Sequence, residues 1–194
     1  MIDAPSRCSW ATAGSSSPDP LMVAYHDDEW GTAVHDDTEL FERLALESFQ
    51  AGLSWSTILR KRDAFRTAFE GFDASVVAAF DDGDRARLMA DAGIVRNRAK
   101  IEATVGNAAA LLATAAAFGS FDRYLAAQVP QPPARLPTDA RTGHVPSTTA
   151  ASDVLSADLR RRGFRFVGST IVYAFMQSVG LVDDHLPGCF RYRG

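Results

Sequence analysis

A glutamate stands at a position where the helical pattern of this sequence predicts an apolar side chain. Leu40, Leu44, Glu47 and Ala51 share one stripe of a helix, and the other members of that stripe are apolar. A carboxylate buried among such residues is paired, protonated or functional, because burial disfavours its charge. A salt bridge or a bond to a helix terminus explains Glu47 as well as chemistry does, so both interpretations stay open.

Aromatic residues surround the same helix. All three tryptophans of the chain, Trp10, Trp30 and Trp55, lie in its first 55 residues, together with Tyr25 and Phe49. Aromatic faces hold extruded bases, because every base offers a π-face. Core packing is the alternative for each ring, but four of the five lie in predicted turns or irregular segments, which favours a pocket.

The cysteines and two histidines form a possible metal-ligand set. Cys8 has His26 in the same part of the chain, and His185 precedes Cys189 by four residues. Two thiols and two imidazoles suit structural zinc. A Cys8–Cys189 disulfide and independent free thiols are the alternatives, and a cytoplasmic chain disfavours the disulfide.

The charge distribution is uneven. The net charge of −4 argues against nucleic-acid binding, but residues 60–62, 96–100 and 160–165 form three basic clusters. Each cluster is either a solvated helix surface or part of a small DNA-binding face.

One basic cluster follows a short turn, D-A-G-I-V at residues 91–95. Two predicted helices flank this turn, as in a helix-hairpin-helix motif, whose backbone amides bind phosphate. Gly93, Arg96, Arg98 and Lys100 are the candidate phosphate contacts, although a turn of this kind is common in proteins of every function.

The elements that must position these groups are predicted to be helices, so the fold class is all-α. The first 35 residues are expected to be irregular, residues 130–147 to form a loop, and residues 1–194 to form one domain of two lobes sharing a core. The predicted helices span residues 37–51, 54–70, 73–80, 84–90, 97–117, 121–128, 152–163 and 168–180.

Composition predicts a globular protein in the cytoplasm. The chain is 46% hydrophobic and 23% charged, which is ordinary for such proteins. No stretch approaches the ~20 continuous apolar residues of a membrane span, and no secretory signal is recognisable. We expect a monomer with no membrane partner.

The motifs together resemble one family. They are R-C-S-W at residues 7–10, D-P-L-M-V-A-Y-H-D-D-E-W-G at 19–31, L-E-S-F-Q-A-G-L-S-W at 46–55, D-A-G-I-V-R-N-R-A-K-I at 91–101, R-G-F-R-F-V-G at 162–168 and G-L-V-D-D-H-L-P-G-C at 180–189. The sequence resembles the bacterial 3-methyladenine DNA glycosylase I family, called the Tag family, over nearly its whole length.

The resemblance implies a helix-hairpin-helix glycosylase fold whose terminal segments are joined by zinc on Cys8, His26, His185 and Cys189. It implies base recognition by Glu47, which is also the candidate for electrostatic catalysis. The other implied base-pocket residues are Tyr25, Trp55, Trp30 and Trp10, and Met22, which stands where the family carries a tyrosine.

The implied reaction is hydrolysis of the glycosidic bond of 3-methyladenine in double-stranded DNA, without a nucleotide cofactor. Gly52 and Leu53 lie in the turn after the Glu47 helix, where an apolar side chain can fill the vacated stack, although Leu53 could equally pack in the core. Neither the water-activating group nor the activity toward 3-methylguanine follows from the sequence.

Three alternatives remain. A non-catalytic DNA-binding module would use the hairpin without a base pocket. A zinc hydrolase would need an open position on its zinc ion for water, and four protein ligands would fill every position. A lyase-type glycosylase would use Lys100 as a Schiff-base nucleophile.

Overall fold

The computed structural model describes residues 5–12, 18–141 and 145–193, and within them the chain is mostly helical. The longer helices are α3 (Asp37–Gln50), α8 (Arg98–Phe118), α10 (Ala150–Arg161) and α11 (Ser169–Ser178). The shorter ones are α1 (Ser9–Thr12), α2 (Pro20–Ala24), α4 (Trp55–Arg60), α5 (Arg62–Ala68), α6 (Ala74–Ala78), α7 (Asp82–Ala90) and α9 (Phe121–Gln128).

Helix α3 is the central element of the core. The Asp36 side chain accepts a hydrogen bond of 2.9 Å from the Glu39 amide and so caps the start of the helix. The helix ends before Gly52, whose φ of 85° suits a residue without a side chain. Residues 40–49 are all buried, so the single apolar stripe expected from the sequence is too narrow a description. The buried polar residues of α3 are Glu42, Arg43, Glu47 and Ser48.

Helix α8 is the one helix among the described residues that could cross a membrane by length and composition alone. Its length and mean hydropathy of 1.4 are those of a membrane helix. Half of this stretch is buried inside the protein, however, where α8 packs against α3, α6, α7 and α9. Asn97 caps its start by accepting a bond of 3.2 Å from the Lys100 amide, so α8 is a core helix.

The segment before α3 is more regular than expected. Asp19 caps α2, which continues directly into a π-helical turn at Tyr25–Glu29. The wider π turn carries Tyr25 and His26 into the interior, and both side chains are buried. Helical periodicity cannot reveal such short elements, because long-range packing rather than local sequence holds them.

Two further expectations need correction. The helix predicted after Ser54 is divided at Lys61 into α4 and α5. Residues 130–147 contain a two-residue strand, β1 (Ala134–Arg135), which pairs in parallel with β2 (Val182–Asp183). This pairing places the residues that follow β2 beside α11.

Candidate active site

A cavity of about 360 Å³ lies between the N-terminal helices, α3, α4 and α11. Its volume is that of a small-molecule site. All six residues predicted to form the base pocket line it, namely Trp10, Met22, Tyr25, Trp30, Glu47 and Trp55. Sequence reasoning missed three polar residues of the lining, Gln50, Gln177 and Asp184, because no local spacing relates them to the others.

The aromatic side chains form one connected wall. The ring centroids of Tyr25 and Trp55 are 5.0 Å apart, and those of Trp10 and Trp30 are 5.1 Å apart. Trp10 also lies 6.2 Å from Tyr25 and so joins the two pairs. Ser54 fixes Trp55 at the start of α4 by accepting a bond of 3.2 Å from the Thr57 amide. The wall offers π-faces of the kind that hold a planar base.

Glu47 is one of two acidic groups that line this cavity. Its side chain is buried, and burial raises the pKa of its carboxyl to about 8. Arg43, one turn earlier on α3, opposes that rise in pKa. Among the residues that the structure describes, no hydrogen bond or ion pair engages Glu47, so the salt-bridge interpretation is not supported.

Arg43 is a buried cation that connects the pocket to two partly exposed acids. Its Nη2 atom lies 2.6 Å from a carboxylate oxygen of Glu29 and 2.8 Å from one of Glu39. Its Cζ atom lies 5.7 Å from the Tyr25 ring centroid. Its Nε and Nη1 atoms are buried and have no partner in the described part of the chain. This cation therefore acts on the pocket through space.

Asp184 is a second acidic group in the cavity wall. Its Oδ2 atom accepts bonds of 2.6 Å from the Tyr173 hydroxyl and 2.8 Å from the Gln177 amide nitrogen, both on α11. Burial and the neighbouring carboxylate raise the pKa of Tyr173, so this hydroxyl stays a donor.

Three of the four predicted metal ligands come together at one end of the cavity. The ligand atoms of Cys8, His26 and Cys189 all lie within 4.8 Å of one another. His26 Nε2 is 3.4 Å from Cys189 Sγ. Both thiols are free, which rules out the disulfide alternative in this structure.

The fourth residue, His185, faces the same region. Its ring centroid is 5.2 Å from that of His26, and its Nε2 atom is buried with no partner among the described residues. Asp183 binds His185 Nδ1 at 2.8 Å and Asp27 binds His26 Nδ1 at 2.7 Å, so Nε2 is the ring nitrogen that each histidine could offer to a metal. The Cys8 amide lies 3.4 Å from His26 Nε2. Carboxylates orient zinc-binding histidines in this way, so the donor set fits zinc.

The turn between α3 and α4 projects from the surface. Leu53 is 42% exposed, which excludes the interpretation that it packs in the core. Its amide donates to the Gln50 carbonyl oxygen, and Gly52 adopts a positive φ that closes the turn. An apolar side chain is therefore presented beside the cavity.

Helices α7 and α8 flank a hairpin at residues 91–97, as predicted. The Gly93 amide, however, donates a bond of 2.7 Å to Asp91 Oδ1 and offers no free donor for phosphate. A Cβ at Gly93 would lie 3.0 Å from the Cβ of Ala64, so this glycine serves close packing. Arg96 and Arg98 are exposed.

The prediction that Lys100 contacts phosphate is wrong. Lys100 is buried, and its Nζ donates bonds of 2.9 Å to the Phe49 carbonyl oxygen and 2.7 Å to that of Ala51. These carbonyls end α3, where a cation is favoured by the helix dipole. The same bonds hold Nζ at the end of α3, and Lys100 does not line the aromatic cavity, so the lyase alternative has no lysine nucleophile at the base site.

The three basic clusters have different environments. Arg60 pairs with Asp19, Lys61 with hairpin carbonyls, and Arg62 with Glu29, so residues 60–62 hold the fold together. Arg98 and Arg165, from the other two clusters, line one open groove of about 720 Å³. This groove is larger than the aromatic cavity, but it has no aromatic lining and no Glu47, so it is a surface rather than a base site.

A helical fold with an aromatic, carboxylate-bearing cavity beside a helical hairpin is typical of enzymes that extrude a base from DNA. The sequence profile of the methyladenine glycosylase family matches residues 14–192. The chain belongs to this family.

Individual relatives agree with that assignment. The chain is 47% identical to DNA-3-methyladenine glycosylase 1 of Escherichia coli (strain K12) over 189 residues, which cover 97% of each chain. A crystal structure of 3-methyladenine DNA glycosylase I is 44% identical, with a TM-score of 0.90 over 96% of this chain and 100% of that one. A variant of such an enzyme in complex with 3-methyladenine is 37% identical, with a TM-score of 0.88 over 95% and 96%.

Proposed function

We propose that this protein is a DNA-3-methyladenine glycosylase, which hydrolyses the bond between the methylated base and deoxyribose. The observation that carries the proposal is the buried Glu47 carboxylate within the aromatic wall, in a chain 47% identical to a named enzyme of this activity. A duplex hides its bases, so the enzyme must first extrude the damaged nucleotide.

Methylation at N3 gives the adenine of the nucleoside a positive charge, so the base leaves without protonation by a strong acid. Trp55 and Tyr25 supply faces for the base, and each base–aromatic stack contributes roughly 1–3 kcal/mol. Glu47 supplies the negative charge and accepts a hydrogen bond from the exocyclic amine. Met22 offers a polarisable, non-aromatic surface in the same wall.

The DNA face consists of the projecting turn and the hairpin helix. Leu53 fills the space left by the extruded nucleotide, with Gly52 permitting the turn. Arg96 and Arg98 contact phosphates, and the amides of the first α8 residues, which have no intrahelical acceptor, add to this binding. The groove that contains Arg98 and Arg165 extends the basic surface.

We infer that one zinc ion is held by Cys8, His26, His185 and Cys189. The unpartnered, buried Nε2 of His185 beside two free thiols supports this set. When bound, the ion stabilises the fold and provides no activated water, because four protein ligands close its coordination sphere.

The test is release of the base from methylated duplex DNA, with the product identified as free 3-methyladenine. The wild-type protein should release it, and Glu47→Gln should release it more slowly with its fold intact. Binding of methylated DNA without base release would instead support the non-catalytic DNA-binding module.

A further inference from the structure

The cavity contains two carboxylates on walls built by different elements. Glu47 comes from α3, whereas Asp184 follows β2 and is held by α11. If Glu47 engages the amine of the base, a second group must act on the water that attacks the sugar. Hydrolysis of glycosides commonly divides the work between two carboxyl groups in this way, one at the leaving group and one at the water.

The surroundings of Asp184 are unusual for a buried acid. Asp184 is 4% exposed, and within residues 5–12, 18–141 and 145–193 no cationic side chain pairs with it. Its two hydrogen-bond partners, Tyr173 and Gln177, are neutral donors, and both bind Oδ2. Glu47 and Asp184 are the two acids in the lining of the cavity, and Asp184 is the one whose orientation two hydrogen bonds fix.

The second carboxylate oxygen of Asp184, Oδ1, accepts no hydrogen bond in the described part of the chain. The two bonds to Oδ2 fix the orientation of the carboxylate. A substrate that carries positive charge in this cavity would face this fixed carboxylate. An Oδ1 atom without a donor is also available to accept a proton from water.

We propose that Asp184 is the catalytic carboxylate that stabilises the cationic sugar and orients the attacking water. This rests on the proposed glycosylase function and adds the residue for the second half of the reaction. The C1′–N9 bond breaks, and its electron pair neutralises the positive charge of the methylated base. The water oxygen bonds to C1′, and Asp184 accepts its proton and releases it to solvent. Tyr173 and Gln177 act as positioning residues.

The test compares DNA duplexes that contain one of two abasic-site analogues, a pyrrolidine that carries a positive charge or a neutral tetrahydrofuran. The wild-type protein should bind the pyrrolidine duplex more tightly, because its cation resembles the transition state. Asp184→Asn should abolish this preference while leaving tetrahydrofuran binding within about twofold, and should lower the single-turnover rate of 3-methyladenine release by about 100-fold or more.

Asp158→Asn is the matched control, since Asp158 also accepts a tyrosine hydroxyl bond, from Tyr124 at 2.8 Å, outside the cavity. It should lower stability and keep the analogue preference. Metal content should be measured on Asp184→Asn, because His185 is the next residue. If that variant does not fold, Tyr173→Phe, which keeps the carboxylate and removes one donor, should reduce both readouts by about tenfold.

The catalytic role of Asp184 is overturned if a folded Asp184→Asn variant keeps the preference for the pyrrolidine duplex. If only Tyr173→Phe folds, the same result in that variant overturns it. A wild-type protein that releases no 3-methyladenine overturns the glycosylase function instead. The analogue preference is still measurable in that case, so the two failures are distinguishable.

Discussion

Lys100 and Ala51 are joined by a hydrogen bond of 2.7 Å from the lysine ammonium to the alanine carbonyl oxygen. A second bond, of 2.9 Å, reaches the Phe49 carbonyl oxygen. These bonds hold the first turn of α8, the helix that follows the hairpin, against the end of α3. Ala51 lies one helical turn after Glu47 and directly before Gly52. The surface proposed to bind DNA and the cavity proposed to bind the base are thus fixed relative to each other.

Replacement of Lys100 by Met should lower the free energy of unfolding by about 1–3 kcal/mol, because the carbonyl groups of Phe49 and Ala51 lose their donor. It should leave the salt dependence of DNA binding unchanged. Arg98→Ala is the comparison, and it should lower the slope of log K against log salt concentration by about one. Urea unfolding and DNA binding at several salt concentrations check both. An equal loss of slope in Lys100→Met would show that this lysine reaches phosphate.

Lys100 also illustrates what the sequence could not predict. A lysine after a hairpin suggests phosphate contact, and only the long-range approach of α3 turns it into a helix cap. Helix α3 itself was predicted within a residue, because polar residues at positions 37 and 38 and Gly52 mark its ends locally. Asp184 carried no signal, since its donors and the rest of the cavity belong to distant segments. The six pocket residues were found mainly through the family resemblance.

The ionisation of Glu47 should affect stability as well as binding. An ordinary glutamate has a pKa of 4.5, and burial raises that of Glu47 to about 8 in the folded protein. Between these values the folded state holds the extra proton, so stability falls as pH rises, by up to about 1.4 kcal/mol per pH unit. Glu47→Gln lacks this loss, so its stability advantage over wild type should grow from pH 5 to pH 8. Thermal unfolding without DNA at both pH values measures it, and a less stable variant at pH 8 would contradict it.

Catalysis should depend on pH in the opposite sense. The kcat/KM of base release reports the ionisation of the free enzyme, so it should fall as pH drops below about 8 and Glu47 becomes protonated. Arg43→Met should move the pH at which kcat/KM falls to a higher value, because the cation that favours ionised Glu47 is lost. Arg43→Lys keeps the charge and should restore the profile in part. A profile of unchanged position in a folded Arg43→Met would remove Arg43 from this role.

Removal of zinc should destabilise the protein. A chelator should lower the free energy of unfolding by about 3 kcal/mol or more, as expected for an ion present at 100-fold or more above its Kd. Cys189→Ala should have a similar effect and lose the metal, with a smaller effect on the affinity for free 3-methyladenine. His35→Ala, at an exposed histidine, is the control and should keep about one zinc per chain. A metal-free wild type of full stability would exclude the site.

Leu53→Ala should weaken binding to duplex DNA with little change in stability, because the side chain is 42% exposed in the free protein. We expect the free energy of binding to DNA with an abasic site to weaken by about 1–2 kcal/mol, because the Leu53 side chain fills the space that the extruded nucleotide leaves in the base stack. Leu112→Ala, an exposed leucine on α8, is the matched control. Fluorescence anisotropy and urea unfolding measure the two quantities. Equal DNA affinity in Leu53→Ala and wild type would show that another residue fills the vacated stack.

The Leu186 amide lies 3.4 Å from Cys8 Sγ, across 178 positions of sequence, and both residues line the cavity. During synthesis the N-terminal part of a domain emerges first, although a domain generally folds as a unit. The cavity gains this wall only after the segment containing Leu186 leaves the exit tunnel. A nascent or prematurely terminated chain therefore contains Glu47 and the tryptophans without a closed pocket, and base capture begins only with synthesis of that last wall.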